Sequence, residues 1–279
     1  MVLLDPLSFK SSAFTYQIAE SNISMGSLDT RRPVSMKYCD LLSPYIRFSA
    51  MDVLLNNPSI VSGTALSNVD FVQTGMFSMS NCGVLNSNVN TIDYTKLPTS
   101  SCNYTDACVS VKNVAGGNGG WYNGGVAIGG SNGMTVTVAA QLTSSSNDDL
   151  IQLKGYDSNG TTFGDALVMK SSQFWVSRYP DRSNLGAWPN TSFTLSNGKK
   201  TTMSMRFTTN VIETYQDGLL KATYSNTGYD YKFWHYATVL APTSAAGMKF
   251  YEVMVHDFSL DSNQISKLHS AISRTYLWQ

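Results

Sequence analysis

From Met134 onward, apolar and polar positions alternate along the chain. Val136, Val138, Ala140 and Leu142 interleave with Thr135, Thr137, Ala139 and Gln141. This is the period of two that turns one strand face to a core and the other to solvent. Met203, Met205 and Phe207 alternate with Thr202, Ser204 and Arg206 in the same way, so each run predicts a half-buried strand. Val211 to Gln216 reads as another strand, Asp217-Gly218 as a tight turn, and Leu219 to Ser225 as the returning strand. Asp-Gly between two such runs signals a hairpin, because both residues tolerate positive φ. Asn132-Gly133, Asn159-Gly160 and Asn197-Gly198 mark further turns. Short strands with regular turn punctuation indicate a sandwich or barrel.

The period changes near the end. Asp261 is a good helix N-cap, and Gln264, three residues on, completes a capping-box pattern. Leu260 and Ile265 occupy the two positions of a hydrophobic staple, and Ile265, Leu268 and Ile272 share one face. A short amphipathic helix packed onto the sandwich follows from this spacing.

Upstream the texture is less regular. Pro6, Pro33, Pro44 and Pro58 break residues 1–70, which excludes a long helix or central strand there. Short apolar pieces remain, Tyr45 to Phe48 and Met51 to Leu55. Residues 1–70 read as an irregular N-terminal arm or small docking subdomain, part of which can add strands to the sandwich of residues 71–279. Residues 71–114 have room for short strands between Asn/Ser-rich turns. Between Ala115 and Gly133 nine of nineteen residues are glycine, which makes that stretch a loop. No repeat of the solenoid or propeller kind is visible.

Two ordered motifs carry a resemblance. Thr201 to Ser225, with its Tyr215-Gln216-Asp217-Gly218 turn, resembles the core hairpin of the concanavalin A-like lectin/glucanase superfamily, and in particular its laminin-G-like branch. The run Phe250 to Asp261 is similar to the last strand of that family. Ser262-Asn263-Gln264-Ile265 resembles the start of its small terminal helix. The resemblance covers Met134 to Ile272 and implies an all-β fold, a two-sheet antiparallel jelly-roll sandwich with one concave face and a short C-terminal helix; the irregular N-terminal arm is read from the residue pattern alone. It implies no activity, since that fold hosts lectins, hydrolases and adhesive spacers.

Composition narrows the function classes. Lys plus Arg and Asp plus Glu both number 19 in the 279 residues. That balance argues against bulk binding to nucleic acid or to an anionic membrane, which needs a basic patch. Charged residues make up 14%, against roughly 25% in a typical soluble domain, so Ser, Thr, Asn and Gly must supply the polar surface. Met1 to Leu4 meets Asp5-Pro6 too soon for a signal-peptide apolar region. No apolar run is long enough to span a bilayer.

Catalytic signatures are weak. Retaining glycosidases of the resembled superfamily place acidic residues at alternate positions of one strand, which holds the two carboxylates about 5–5.5 Å apart on one face. Here Asp148 and Asp149 are adjacent and would point to opposite faces, Glu213 stands alone, and Glu252 has only His256 and Asp257 near it. His235, His256 and His269 are too scattered for a paired metal site. His256 beside Asp257 is either a base with its orienting carboxylate or, on the plainer reading, a core or sheet-edge residue. The glycine-rich stretch has no following Lys-Ser/Thr and no G-x-G-x-x-G spacing, so it is not a phosphate loop. Cys39, Cys82, Cys102 and Cys108 fit no zinc spacing. Buried free thiols are the favoured reading, while a Cys102–Cys108 disulfide stays open, because four cysteines allow three connectivities.

The aromatics read either as turn-cluster and core residues, one face of the Tyr229 to Tyr236 run being buried, or as a recognition surface. Trp121 and Tyr122 sit in the glycine-rich loop, Trp188 in Gly186-Ala187-Trp188-Pro189, and Tyr229, Tyr231 and Trp234 in the run Tyr229 to Tyr236. Flat rings with polar edges suit sugar rings and protein interfaces alike. Asp148, Asp149, Asp157 and Asp165 offer oxygen donors for calcium but match no calcium loop; no other cofactor is indicated. The sequons at Asn22, Asn103, Asn159 and Asn190 follow from a Ser/Thr/Asn-rich chain. The expectation is a non-catalytic attachment module that binds glycan or a partner protein. Its texture is that of a virion or extracellular surface component (decoration, fibre or minor capsid protein), homo-oligomerisation being an option. The alternative is a purely structural capsid or tail component with no ligand; a polysaccharide hydrolase is third.

Overall fold

The computed structural model describes residues 46–65, 91–96, 104–111, 133–143, 149–156, 162–170, 173–177, 184–189, 196–225, 236–239, 248–256 and 258–276. In chain order its elements are β1 (Ile46–Ser49), α1 (Ala50–Asn56), β2 (Thr64–Ala65), β3 (Thr91–Lys96), β4 (Tyr104–Val111) and β5 (Met134–Leu142). Then come β6 (Asp149–Tyr156), β7 (Thr162–Lys170), β8 (Gln173–Ser177), β9 (Asn184–Pro189) and β10 (Lys200–Phe207). The last are β11 (Val211–Gln216), β12 (Leu219–Ser225), β13 (Tyr236–Val239), β14 (Met248–His256) and α2 (Ser262–Thr275). The fold is an all-β, two-sheet antiparallel sandwich with a C-terminal helix. The larger sheet runs β12-β11-β10-β5-β14-β4-β3-β2, with β1 also on β14, and the smaller runs β13-β6-β7-β8-β9.

The predicted hairpin forms at the expected residues. β11 and β12 flank a turn with Asp217 at φ 51° and Gly218 at φ 82°, the double positive φ that Asp-Gly supplies. Gly133 and Gly198 also adopt positive φ, whereas Asn132 and Asn159-Gly160 lie outside the described residues. The capping box of α2 is complete: Gln264 N–H donates to Asp261 Oδ1 and Asp261 N–H to Gln264 Oε1, both at 2.8 Å. Leu260 and Ile265 are both fully buried in the core. Of the irregular N-terminal stretch, Ile46–Ser49 and Thr64–Ala65 do add strands to the larger sheet.

The half-buried expectation for the central strands is corrected. Val136, Val138 and Ala140 of β5, Met203, Met205 and Phe207 of β10, and Val253 and Val255 of β14 are fully buried in register with one another. Yet Thr135, Thr137 and Ala139, Thr202 and Ser204, and Met254 and His256 on the opposite face are buried too. The physical reason is α2, which lies over that face with Ile265, Leu268, His269, Ala271 and Ile272 turned inward. Burial of an aliphatic side chain stabilises by roughly 2 kcal/mol, so Ile265, Leu268 and Ile272 hold this roof in place. What it covers is mostly hydroxyls and histidine, and these must find partners in the interior.

β14 organises the sheet. One edge pairs with β5 throughout; the other is shared, Met248 to Phe250 with β4 and Glu252 to Val255 with β1. A bulge falls between Phe250 and Glu252 on the β5 side, so Tyr251 is the extra residue where β4 hands over to β1.

Candidate functional site

Among the described residues, three clusters of polar side chains hold the groups that could carry chemistry or binding. The first lies beneath α2. Ser204 Oγ is 2.7 Å from His269 Nε2 and 2.6 Å from Thr137 Oγ1, and the Gly218 N–H donates to His269 Nδ1. A serine–histidine pair suggests a nucleophile and its base, for which Nε2 must accept the serine proton. Here Nδ1 is occupied as an acceptor, so the neutral ring carries its proton on Nε2 and donates to Ser204. Burial lowers the His269 pKa to about 3, which keeps the ring neutral. The cluster is a pin joining helix, central strand and hairpin turn, and the wrong way round for catalysis.

The second cluster holds the acidic candidate Glu213. Arg206 Nη1 donates to Glu213 Oε2 at 2.7 Å, the Tyr215 hydroxyl donates to the same oxygen at 2.7 Å, and Arg206 Nε donates to Ser259 Oγ at 2.9 Å. Burial, then the Glu213 hydrogen bond and charge, push the Tyr215 hydroxyl up to about 12. Glu213 is thus committed to bracing β10, β11 and the segment after β14. Glu252 is buried, as is His256, whose ring stands edge-on to Phe258 with centroids 5.5 Å apart. Burial lowers the His256 pKa to about 4, against a small opposing effect from the Thr135 backbone. His256 is therefore the core residue of the plainer reading; Asp257 lies outside the described residues.

The third cluster opens to the surface. β3 and β4 slip out of register between Asp93 and Thr95, and on β4 this bulge places Asp106 at φ 59°. A left-handed conformation is rare for residues other than glycine, though Asp tolerates it best. The carboxylate reaches Lys200 Nζ at 2.6 Å through Oδ1 and Lys249 Nζ at 3.7 Å through Oδ2. The Tyr251 hydroxyl lies 3.0 Å from Asp106 Oδ1 and also 3.0 Å from Gln141 Oε1. Gln141 Nε2 donates to the Gly198 carbonyl at 2.5 Å, which fixes the direction of that amide. Burial acts to raise the Asp106 pKa, but Lys200, the Tyr251 hydroxyl and Lys249 outweigh it and hold the carboxyl below its usual range. Lys200, Lys249 and Asp106 side chains are 28%, 31% and 31% exposed, so solvent or a ligand reaches them.

Of the recognition residues expected from sequence, Trp188 alone is among the described residues. Trp188 is in β9, the edge strand of the smaller sheet, paired in register with Phe174. Trp121, Tyr122, Tyr229, Tyr231 and Trp234 lie outside the described residues, as do Asp148 and Asp157. Asp149 begins β6, and Asp165 sits on β7 opposite Lys154. Among the described residues no three His, Cys, Asp or Glu side chains are grouped to hold a metal ion, and no helix is long and apolar enough to cross a membrane. Cys108 is a free, buried thiol; Cys39, Cys82 and Cys102 are outside the described residues. Sequence reading missed the Asp106 cluster. Its members come from β4, β5, β10 and β14, and no linear spacing joins them.

No protein-family model matches this chain, and no curated protein matches it. Among solved structures it is similar to the botulinum neurotoxin serotype G binding domain, with TM-score 0.46 and 8% identity over 65% of this chain and 45% of that one. The serotype D binding domain aligns with TM-score 0.45 and 11% identity over 66% of this chain and 48% of that one. Trypanosoma rangeli sialidase in complex with 2-keto-3-deoxy-D-glycero-D-galacto-2,3-difluoro-nononic acid aligns with TM-score 0.38 and 16% identity, over 66% and 29% respectively. The chain spans less than half the length of each of these, and none of them assigns a site or an activity to it.

Proposed function

We propose that this chain is a non-catalytic recognition module, a laminin-G-like sandwich that binds a glycan or a partner protein through loop aromatics and the polar rim of its larger sheet. The observation that carries this reading is the fate of the reactive groups. The Gly218 N–H holds His269 in the wrong tautomer for activating Ser204, Glu213 is locked to Arg206 and Tyr215, and His256 is sealed in the core. By contrast the Asp106 cluster presents charged groups at the surface. Low charge and Ser/Asn/Gly-rich strands support a place on the surface of a virion or another particle, as a decoration, fibre or minor capsid component.

A specific observation favours the structural alternative. Leu219 and Leu220 are 64% and 52% exposed on β12, the outermost strand of the larger sheet among the described residues, where a further subunit would cover apolar surface.

One experiment separates the two. The labelled full chain is applied to a broad glycan array with and without EDTA, and its mass in solution is measured alongside. Reproducible glycan binding weakened by Trp188→Ala or Trp121→Ala establishes the recognition module, and EDTA sensitivity would bring the aspartates in. A blank array with a chain that self-associates, and does so less after Leu219→Ser, sinks the glycan reading in favour of the structural one.

A further inference from the structure

We infer that the Asp106 bulge cluster is a subsite for the acidic group of a glycan, a carboxylate or sulfate ester seated between Lys200 and Lys249. The inference rests on the glycan reading above and names the ligand class. Charge is the first argument. Two ammonium groups face one carboxylate, so these three groups together carry one excess positive charge that a second anion would neutralise, Asp93 being the next carboxylate out, on β3 opposite Cys108. Lys249 is the less committed of the two: at 3.7 Å from Asp106 Oδ2 it makes charge contact beyond hydrogen-bond distance. An ammonium has three donors, and Lys200 spends one on Asp106 Oδ1.

Proton count is the second argument, and it points to a hydroxyl-bearing anion. The Tyr251 hydroxyl has one proton and two acceptors at equal distance, Asp106 Oδ1 and Gln141 Oε1. Gln141 cannot turn its amide nitrogen towards the site, because the Gly198 carbonyl holds it. One acceptor is therefore left without that proton, at a place where Lys200 and Lys249 still have donors to give. An acidic sugar answers both needs at once: its anionic group takes the ammonium donors and a ring hydroxyl supplies the missing proton. The side chain of an acidic peptide answers only the first.

The geometry is preset. Lys200, Gln141, Lys249 and Ser110 follow one another across β10, β5, β14 and β4 in direct register, so both lysines stand in one row at the same end of neighbouring strands. The bulge holds the Asp106 carboxylate between them as a spacer.

The test uses the full chain and four probes at two salt concentrations: sialyllactose for the carboxylate, a heparin hexasaccharide for the sulfate, lactose as neutral sugar, and hexaglutamate as acidic peptide. Either acidic sugar should bind at least about tenfold more tightly than lactose, as a charge-assisted contact is worth. Lys249→Gln should remove that margin, Lys249→Arg restore most of it, and higher salt weaken it. Lys200→Gln serves as an independent second variant, with thermal melting as the folding control. Lactose binding as tight as either acidic sugar, or acidic-sugar binding unchanged in both folded variants, overturns this inference and leaves the recognition module standing. Hexaglutamate bound more tightly than both acidic sugars overturns the ligand class. No binding of any sugar overturns both this inference and the glycan reading.

Discussion

His269 Nε2 and Ser204 Oγ lie 2.7 Å apart beneath the C-terminal helix, and the proton between them belongs to the histidine. The Gly218 N–H, at the hairpin turn, donates into Nδ1 and so decides the tautomer from the far side of the ring. Ser204 is consequently a passive hydroxyl. A fluorophosphonate probe should leave Ser204 unlabelled in the native chain at neutral pH. Ser204→Ala should cost about 1–3 kcal/mol of stability by stranding a buried donor. His269→Ala, which also strands Gly218 N–H and opens a cavity, should cost on the order of 3 kcal/mol or more. Labelling at Ser204 would overturn this assignment.

The two buried histidines make stability fall in mild acid. Their folded pKa values, about 3 for His269 and about 4 for His256, lie below the ordinary 6.5. Between those limits the unfolded chain binds more protons than the folded one, so stability rises with pH and is lost as pH falls. Each histidine contributes a slope approaching about 1.4 kcal/mol per pH unit below 6.5. Urea melts at pH 7, 6 and 5 should show a progressive drop that is smaller in His256→Leu. A flat profile from pH 7 to 5 would contradict the burial of these rings.

Two glycines with the same backbone conformation should respond differently to alanine. Gly133 has φ 75°, and a Cβ there would overlap the Phe207 carbonyl oxygen and stand 3.1 Å from Ser259 Cβ. Gly198 has φ 77°, and a Cβ there would meet nothing within 4 Å. Gly198→Ala should cost about 1–2 kcal/mol for the left-handed backbone alone. Gly133→Ala adds displacement of β10 backbone and should cost about 3 kcal/mol or more. Chemical denaturation of both variants checks the difference.

Tyr276 ties the chain together over a long sequence distance. Its hydroxyl donates to the Tyr251 carbonyl at 2.6 Å, so the Ser49 hydroxyl, 3.1 Å away, must donate to it. Ser49 is in turn the N-cap of α1 and accepts from Asp52 N–H. A double-mutant cycle of Tyr276→Phe and Ser49→Ala should give a coupling energy on the order of 1 kcal/mol or more. Strict additivity would show that the chain of hydrogen bonds is not cooperative.

Burial pushes the Cys108 thiol up to about 12, and the residue is fully buried. Iodoacetamide at pH 8 should therefore leave Cys108 unmodified in the native chain and alkylate it after denaturation, as read by peptide mass mapping. Rapid native alkylation would place the thiol at the surface.

Legibility followed the range of the interactions. The Asp217-Gly218 hairpin and the Asp261/Gln264 capping box each close within a few residues, so local residue types suffice to specify them. His269 shows where that ends. Its spacing with Ile265, Leu268 and Ile272 puts it near the buried face of the helix, but nothing local says that its ring nitrogens meet β10 and a hairpin turn. Asp106 is harder still. Its positive φ comes from a register slip against β3, and its partners come from strands 94 to 145 positions away along the chain.

What the sequence by itself determined is therefore the all-β class, the hairpin, the capped helix and the absence of an alternating acidic strand. These depend on side-chain period and turn chemistry, which act over a few residues. Only the tertiary structure decided that the central strands are buried on both faces, that β1 and β4 share one edge of β14, that Ser204 and His269 are a pin rather than a dyad, and that two lysines converge on Asp106. Each depends on sheet register and on where the helix settles. A shift of one residue turns every side chain of a strand to the other face, and no local pattern can record which remote partner that register will supply.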